Sequence, residues 1–306
     1  MLDEIRERCA EVAARARHVH VRVERISAYS QALGPGRPLQ VDAEVVPLGA
    51  NREQLAGFVL ALDAINFGSG WFPTLRKRFG RSGYFTVALG LRERFDVEPE
   101  RFSAAALAAV DRLWLAEALG QDSAHELMGH YAAALHELGE RVVADHGDCY
   151  ATLIDAASGS AEALTEILAG WPAFHDVARH RGRAVPFFKR AQIAAADLAA
   201  AGVLEAPDLG RLTLFADNLV PHVLRLDGVL DYAPALLARI EAGELLEHGS
   251  AEEVEIRACA LHAVELIVTD HAGELTAAQI DGTLWRRGGG GRYKAAPRHR
   301  TRCTAY

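Results

Sequence analysis

Two segments place ionisable side chains where helix ends would act on them. PFFKRAQIAAADL, from Pro186, sets Lys189 and Arg190 in the opening turn of an expected helix; Pro186 suits the first position and Gly202 the stop. Cations there oppose the helix dipole by roughly 0.3–1 kcal/mol each. A phosphate docked on the free N–H groups reverses that sign, so Lys189 and Arg190 are expected to hold an anion. RLTLFADNLVPHVL, from Arg211, sets Asp217 just ahead of a second helix, with Asn218 as its expected N-cap and Pro221 where no N–H is needed. A helix N-terminus favours the ionised form of a carboxyl group. A phosphate holder and a fixed carboxylate are the chemistry these spacings offer.

The elements that must position them read as helices almost throughout. Leu55, Phe58, Val59, Leu62 and Ile65 form one amphipathic stripe, ending at Asn66, Phe67 and Gly68. Capping-box spacing occurs at Ser123/Glu126, Ser250/Glu253 and Thr276/Gln279, and Ser103 and Ser160 stand as further N-caps. VHVRV near Val19 and YFTVALGL near Tyr84 are the strand candidates. The expectation is an all-α fold with few short strands: one domain over 1–306, residues 1–44 forming an N-terminal extension. GPGRP at Gly34 reads as a loop within that domain. Beyond GGGG at Gly288 lies a basic tail, 288–306; Tyr293 and Tyr306 within it, and Trp285 just before it, favour docking over disorder.

Composition narrows the function classes. A formal charge of −8 over 306 residues argues against a long nucleic-acid footprint, which needs a basic face, but leaves room for a single nucleotide. Four scattered cysteines with no C-x-x-C pair argue against zinc and against a disulfide framework. The charged opening MLDEIRERCAEV and the lack of a long apolar run lead to a cytoplasmic expectation, with no membrane partner. His125, Glu126 and His130 miss the H-E-x-x-H spacing by one residue, and His175–Asp176 is an isolated dipeptide, so no metal site is expected.

The fragments KRAQI at Lys189, LTLFADNLVP at Leu212, LDAINF at Leu62, GYF at Gly83 and HRT at His299 occur in an order that resembles the queuosine salvage family, the queuosine 5′-phosphate N-glycosylases. The family pattern FADYRVPQ stands here as Phe215 to His222, with the aspartate kept at Asp217 and its tyrosine, arginine and glutamine replaced. The resemblance implies a helical fold akin to helix-hairpin-helix DNA glycosylases. It also implies hydrolysis of queuosine 5′-monophosphate to queuine, a 7-deazaguanine base salvaged for tRNA modification.

With that substrate, Asp217 is the expected catalytic carboxylate, stabilising positive charge on the ribose. Lys189, Arg190, His299 and Arg300 are expected around the phosphate; Asn66, Phe67, Trp71, Tyr84 and Asn218 complete the binding set, its aromatic rings facing the base. Asp63 is expected beside the protonated secondary amine of the base's cyclopentenediol arm. No cofactor is required, and the partner is a small nucleotide rather than nucleic acid. The rival readings are a DNA base-excision glycosylase and a non-catalytic helical protein that binds queuine.

Overall fold

The computed structural model describes residues 1–306. Fifteen α-helices and two short antiparallel strand pairs surround one core of 86 buried side chains, which runs from Leu2 to Leu284. At its centre lies the helix Ala251–Asp270, apolar around most of its circumference, as expected of a helix enclosed on all sides. Leu2–Ala13, Ile26–Leu33 and Leu219–Leu226 pack around it, so residues 1–44 are not a separate extension but partly line the centre of the fold. Val19–Val21 pairs with Leu230–Tyr232, tying the first helices to the second half of the chain. No helix is long and apolar enough to cross a membrane.

Local signals explain many of the helix starts. The Ser103, Ser160 and Ser250 hydroxyls accept from the N–H groups of Ala106, Ala163 and Glu253, and Thr276/Gln279 forms a reciprocal capping box. Ser123 does not cap; His125 does, through its ring nitrogen and the Leu127 N–H. The YFTVALGL segment is helical, within Gly83–Val97, because the Ser82 hydroxyl caps it at Phe85 N–H. Pro186 ends a strand that pairs Arg183–Pro186 with Val177–His180, and the next helix begins at Lys189.

The tail folds back on the molecule. Tyr306 is 2% exposed, and its carbonyl accepts from Gly68 N–H at 3.0 Å. The Gly68–Ser69–Gly70 turn is the bed it lies on. A Cβ at position 70 would sit 2.5 Å from the Thr301 carbonyl oxygen, so only glycine lets the tail approach this closely.

Candidate active site

The helices Arg52–Ala64 and Lys189–Ala200 pack together, and Lys189 points across their junction. Its ammonium donates to the Asn66 carbonyl at 2.8 Å, and the Asn66 amide donates to Asp63 Oδ1 at 3.3 Å. Burial lowers the Lys189 pKa, while the charges of Asp217, Asp63 and Asp281 oppose that shift. Lys189 is therefore the counter-charge of an acidic group rather than a free phosphate holder. The expected anion site at its helix N-terminus is also filled from within, because Asp176 Oδ2 accepts from Lys189 N–H at 3.2 Å.

Arg190 departs further from expectation. It is 3% exposed and donates to the Ala64 and Ala173 carbonyls, with Phe67 at 4.9 Å and Phe174 at 5.4 Å from its guanidinium. Burial pushes its pKa down to about 10. It closes the end of a neighbouring helix and has no access to a phosphate.

Asp217 does the capping that Asn218 was expected to do. Its Oδ1 accepts from Leu219 N–H at 2.7 Å and Val220 N–H at 3.2 Å, while Oδ2 has no partner in the protein. Asn218 instead donates to the His299 carbonyl at 3.1 Å, holding the tail. The backbone just before Asp217 is fixed as well, by Arg257 Nε on the Ala216 carbonyl at 3.0 Å. The same guanidinium grips Asp176 through both oxygens, at 3.0 and 2.5 Å. One buried arginine thus sets both Asp217 and the helix that carries Lys189. Asp176 is committed to it, so the His175–Asp176 dipeptide is part of the scaffold.

Three further carboxyl groups face Lys189. Asp63 is fully buried with Oδ2 unpartnered, and burial, then the Asp197 charge, raise its pKa well above the usual range. Burial raises Asp197 to about 7. Asp281, 7% exposed with Oδ1 unpartnered, is raised well above the usual range by burial and then by Asp217. Tyr84 borders them, its phenol raised by burial and then by Asp197 and Asp63, with the Trp285 ring 5.6 Å away edge-on.

The other expected residues divide. Phe67 is core, packed edge-on against Tyr131 at 4.9 Å, and the Trp71 indole N–H donates to Glu126 at 2.7 Å in a buried position. Of the expected aromatic platform, only Tyr84 is left partly exposed beside the acids. His299 is buried with neither ring nitrogen bonded, and burial pushes its pKa down to about 3. It packs the tail instead of binding anions. Arg300 and its neighbour Arg298 have no ion-pair or hydrogen-bond partner for their guanidinium groups. Burial is the main cause lowering both Arg298 and Lys77; the Arg300 charge adds to each, the Arg298 charge adds to Lys77, and Asp217 supports the Arg298 charge. Of these cations Arg298 is the one whose charge Asp217 supports, and the Lys77 ammonium donates to the Phe72 carbonyl.

A sequence model of the queuosine salvage protein family matches residues 46–306. The chain belongs to the queuosine salvage family. A queuosine 5′-phosphate N-glycosylase/hydrolase of Sphaerobacter thermophilus is 36% identical over 268 residues, covering 83% of this chain and 82% of that protein. Relatives of the same name from Mus musculus and Bos taurus are 30% and 29% identical, covering 86% and 98% of this chain and 85% and 98% of their own.

Within this queuosine salvage protein, Asp197, Asp281, Lys77 and Arg298 are charged neighbours of these residues that motif reading passed over. Asp281 carried a signal: it lies on the same stripe as Ala277, Leu284 and Gly288, all buried, where a carboxyl is costly. Lys77 and Arg298 stand among other charged residues and Asp197 in a run of alanines, and only the fold brings them in. Two small concavities lie elsewhere, one beside Arg8 and His180 and one beside Leu33 and Leu275.

Proposed function

We propose that this protein hydrolyses the N-glycosidic bond of queuosine 5′-phosphate, giving queuine and ribose 5-phosphate. The reading is carried by Asp217, whose Oδ1 is pinned by two backbone N–H groups while Oδ2 stays free. The relatives' shared name supplies the substrate. As the bond breaks, its electrons pass to the base and positive charge develops on the ribose. A carboxylate oxygen fixed beneath that carbon stabilises the charge without having to reorganise.

The departing base needs a proton, and a 7-deazaguanine has carbon where ordinary purines offer N7. Asp281 is suited to supply the proton elsewhere on the ring, because burial and then the neighbouring Asp217 raise its pKa well above the usual carboxyl range. Water then adds to the sugar, and the proton it sheds restores Asp281. Lys77, Arg298 and Arg300 are the proposed phosphate cradle, in place of Lys189, Arg190 and His299.

Chromatographic assay of queuine release tests the carboxylate. Asp217→Asn keeps an acceptor for the helix N–H groups but removes the charge, and turnover is expected to fall by about 10²–10³. Wild-type turnover in that variant overturns the mechanism. Arg298→Ala is expected to raise KM for the phosphorylated nucleotide and leave the unphosphorylated nucleoside little affected; equal losses remove the cradle.

A further inference from the structure

Gln192 and Thr213 are fully buried polar side chains, one in the KRAQI segment and the other in LTLFADNLVP. They meet face to face. Gln192 Oε1 accepts from Thr213 N–H at 2.8 Å, and Gln192 Nε2 donates to the Thr213 hydroxyl at 2.9 Å. The second proton on Nε2 goes to the Phe187 carbonyl, also at 2.9 Å. One side-chain amide therefore grips two separate stretches of backbone, and each leads into a residue of the site.

The first stretch is Phe187–Phe188, which launches the helix at Lys189. Phe188 sits at φ 47°, in the left-handed region. The other non-glycine residues there, Phe79, Asp148, Ser158, Arg181 and Ala272, each stand next to a glycine in a turn. Phe188 has no glycine beside it and caps a helix, a conformation that a bulky residue keeps only where its surroundings impose it. They do so from both sides. The Asp176 carbonyl accepts from the Phe187 and Phe188 N–H groups at 2.9 and 3.3 Å, and Gln192 holds the Phe187 carbonyl. The second stretch is Leu212–Ala216, buried throughout, part of no helix or strand, and ending at Asp217. Lacking strand partners, it is held by Gln192 at Thr213 and by Arg257 at the Ala216 carbonyl.

We propose that Gln192 is a positioning residue for the hydrolysis, keeping Asp217 in register with the helix that starts at Lys189. The inference rests on the hydrolase reading above and adds a fully buried residue that reaches the reaction only through the backbone it holds. A fixed carboxylate works only while its oxygen stays where the sugar charge develops, and a displacement of about 1 Å can cost on the order of 10²-fold in rate. Without the Gln192 amide, the Thr213 N–H and the Phe187 carbonyl lose their partners together. The run before Asp217 and the strained turn before Lys189 are then free to shift independently.

Queuine release from queuosine 5′-phosphate by Gln192→Met tests this, since methionine fills a similar volume without the amide. In protein that circular dichroism shows to be folded, kcat is expected to fall roughly 10–100-fold with KM changed by no more than about twofold. The deciding measurement is a double-mutant cycle with Asp217→Asn. A residue that acts through the Asp217 carboxylate adds little once that charge is gone, so the double variant should lie within about threefold of Asp217→Asn alone. A purely structural role gives losses that multiply. Thr213→Val, which keeps the backbone bond to Gln192 and removes only the hydroxyl, is the second variant where Gln192→Met does not fold. Its kcat loss is expected to be smaller and, again, absent in the Asp217→Asn background. Unchanged kcat in the folded variants, losses that multiply in the cycle, or a change confined to KM overturns the inference and leaves the hydrolase reading standing. Wild-type protein that releases no queuine overturns both.

Discussion

Two buried clusters of charge lie close together in this protein, and they are built on opposite terms. Around Arg257 the charge itself is answered, though Glu253 Oε1 and the Tyr306 hydroxyl beside it have no hydrogen-bond partner. Both guanidinium arms meet Asp176, Nε meets the Ala216 carbonyl, Glu253 stands 3.6 Å away, and Phe187 and Tyr306 enclose the cation at 3.9 and 4.6 Å. Burial opposes that charge, and the Asp176 and Glu253 charges more than compensate, leaving the Arg257 pKa raised. Around Lys189 the reverse holds. Asp63, Asp197, Asp217 and Asp281 form no ion pair within 4.0 Å, and two of them bury an oxygen with no partner. The first cluster is a scaffold. The second has its partners still to come, and it is the scaffold that holds its parts in place through Ala216 and Asp176.

The contrast can be broken from the scaffold side with the largest effect. Asp176→Asn leaves the Arg257 charge buried and without its main partner, and chemical denaturation is expected to show a loss of about 3–5 kcal/mol. A loss below about 1 kcal/mol would mean the cluster is not the scaffold described.

The acidic cluster should respond in the opposite direction. Asp63→Asn removes a carboxyl whose folded pKa is raised, so the substitution is expected to stabilise the ligand-free protein. The same holds for Asp197→Asn. A raised folded pKa contributes stability below the unfolded value, lost as pH rises through the folded value, about 7 for Asp197. The gain in melting temperature should therefore appear above neutrality and shrink by pH 5, at roughly 2–4 °C for each 1 kcal/mol of strain relieved. A fall in melting temperature at pH 8 in either variant would place these acids with the scaffold.

The smallest effect concerns the tail that covers both clusters. Burial pushes His222 to about 4 and His299 to about 3. Both pKa values are depressed, so unfolded chains bind protons that the fold excludes, and stability declines as pH falls from about 6.5 toward those values. His299→Gln should flatten that part of the stability–pH curve; an unaltered curve would remove His299 as a source of it.

Much of the helical skeleton was legible because its signals are local. Ser103, Ser160 and Thr276 announce their helices within four residues, and the Leu55–Ile65 stripe is periodic. The motif singles out Asp217, whose Oδ1 accepts from two helix N–H groups, while Asp63 was expected only from the substrate's amine and lies fully buried. The misreadings came from distance. That Arg190 grips carbonyls at Ala64 and Ala173, and that Asp176 fills the helix end expected to hold phosphate, depend on contacts across the fold. The YFTVALGL segment misled for another reason: its β-branched and aromatic residues suit a strand, and the Ser82 cap with burial of one face outweighs them.

The seating of Tyr306 on Gly68 has a consequence for how the enzyme is made. The proposed phosphate cations Arg298 and Arg300 leave the ribosome well after Asp63 and the glycine turn. A chain cut short ahead of residue 298 would lack Arg298 and Arg300 and leave the Gly68 turn without the tail that lies on it.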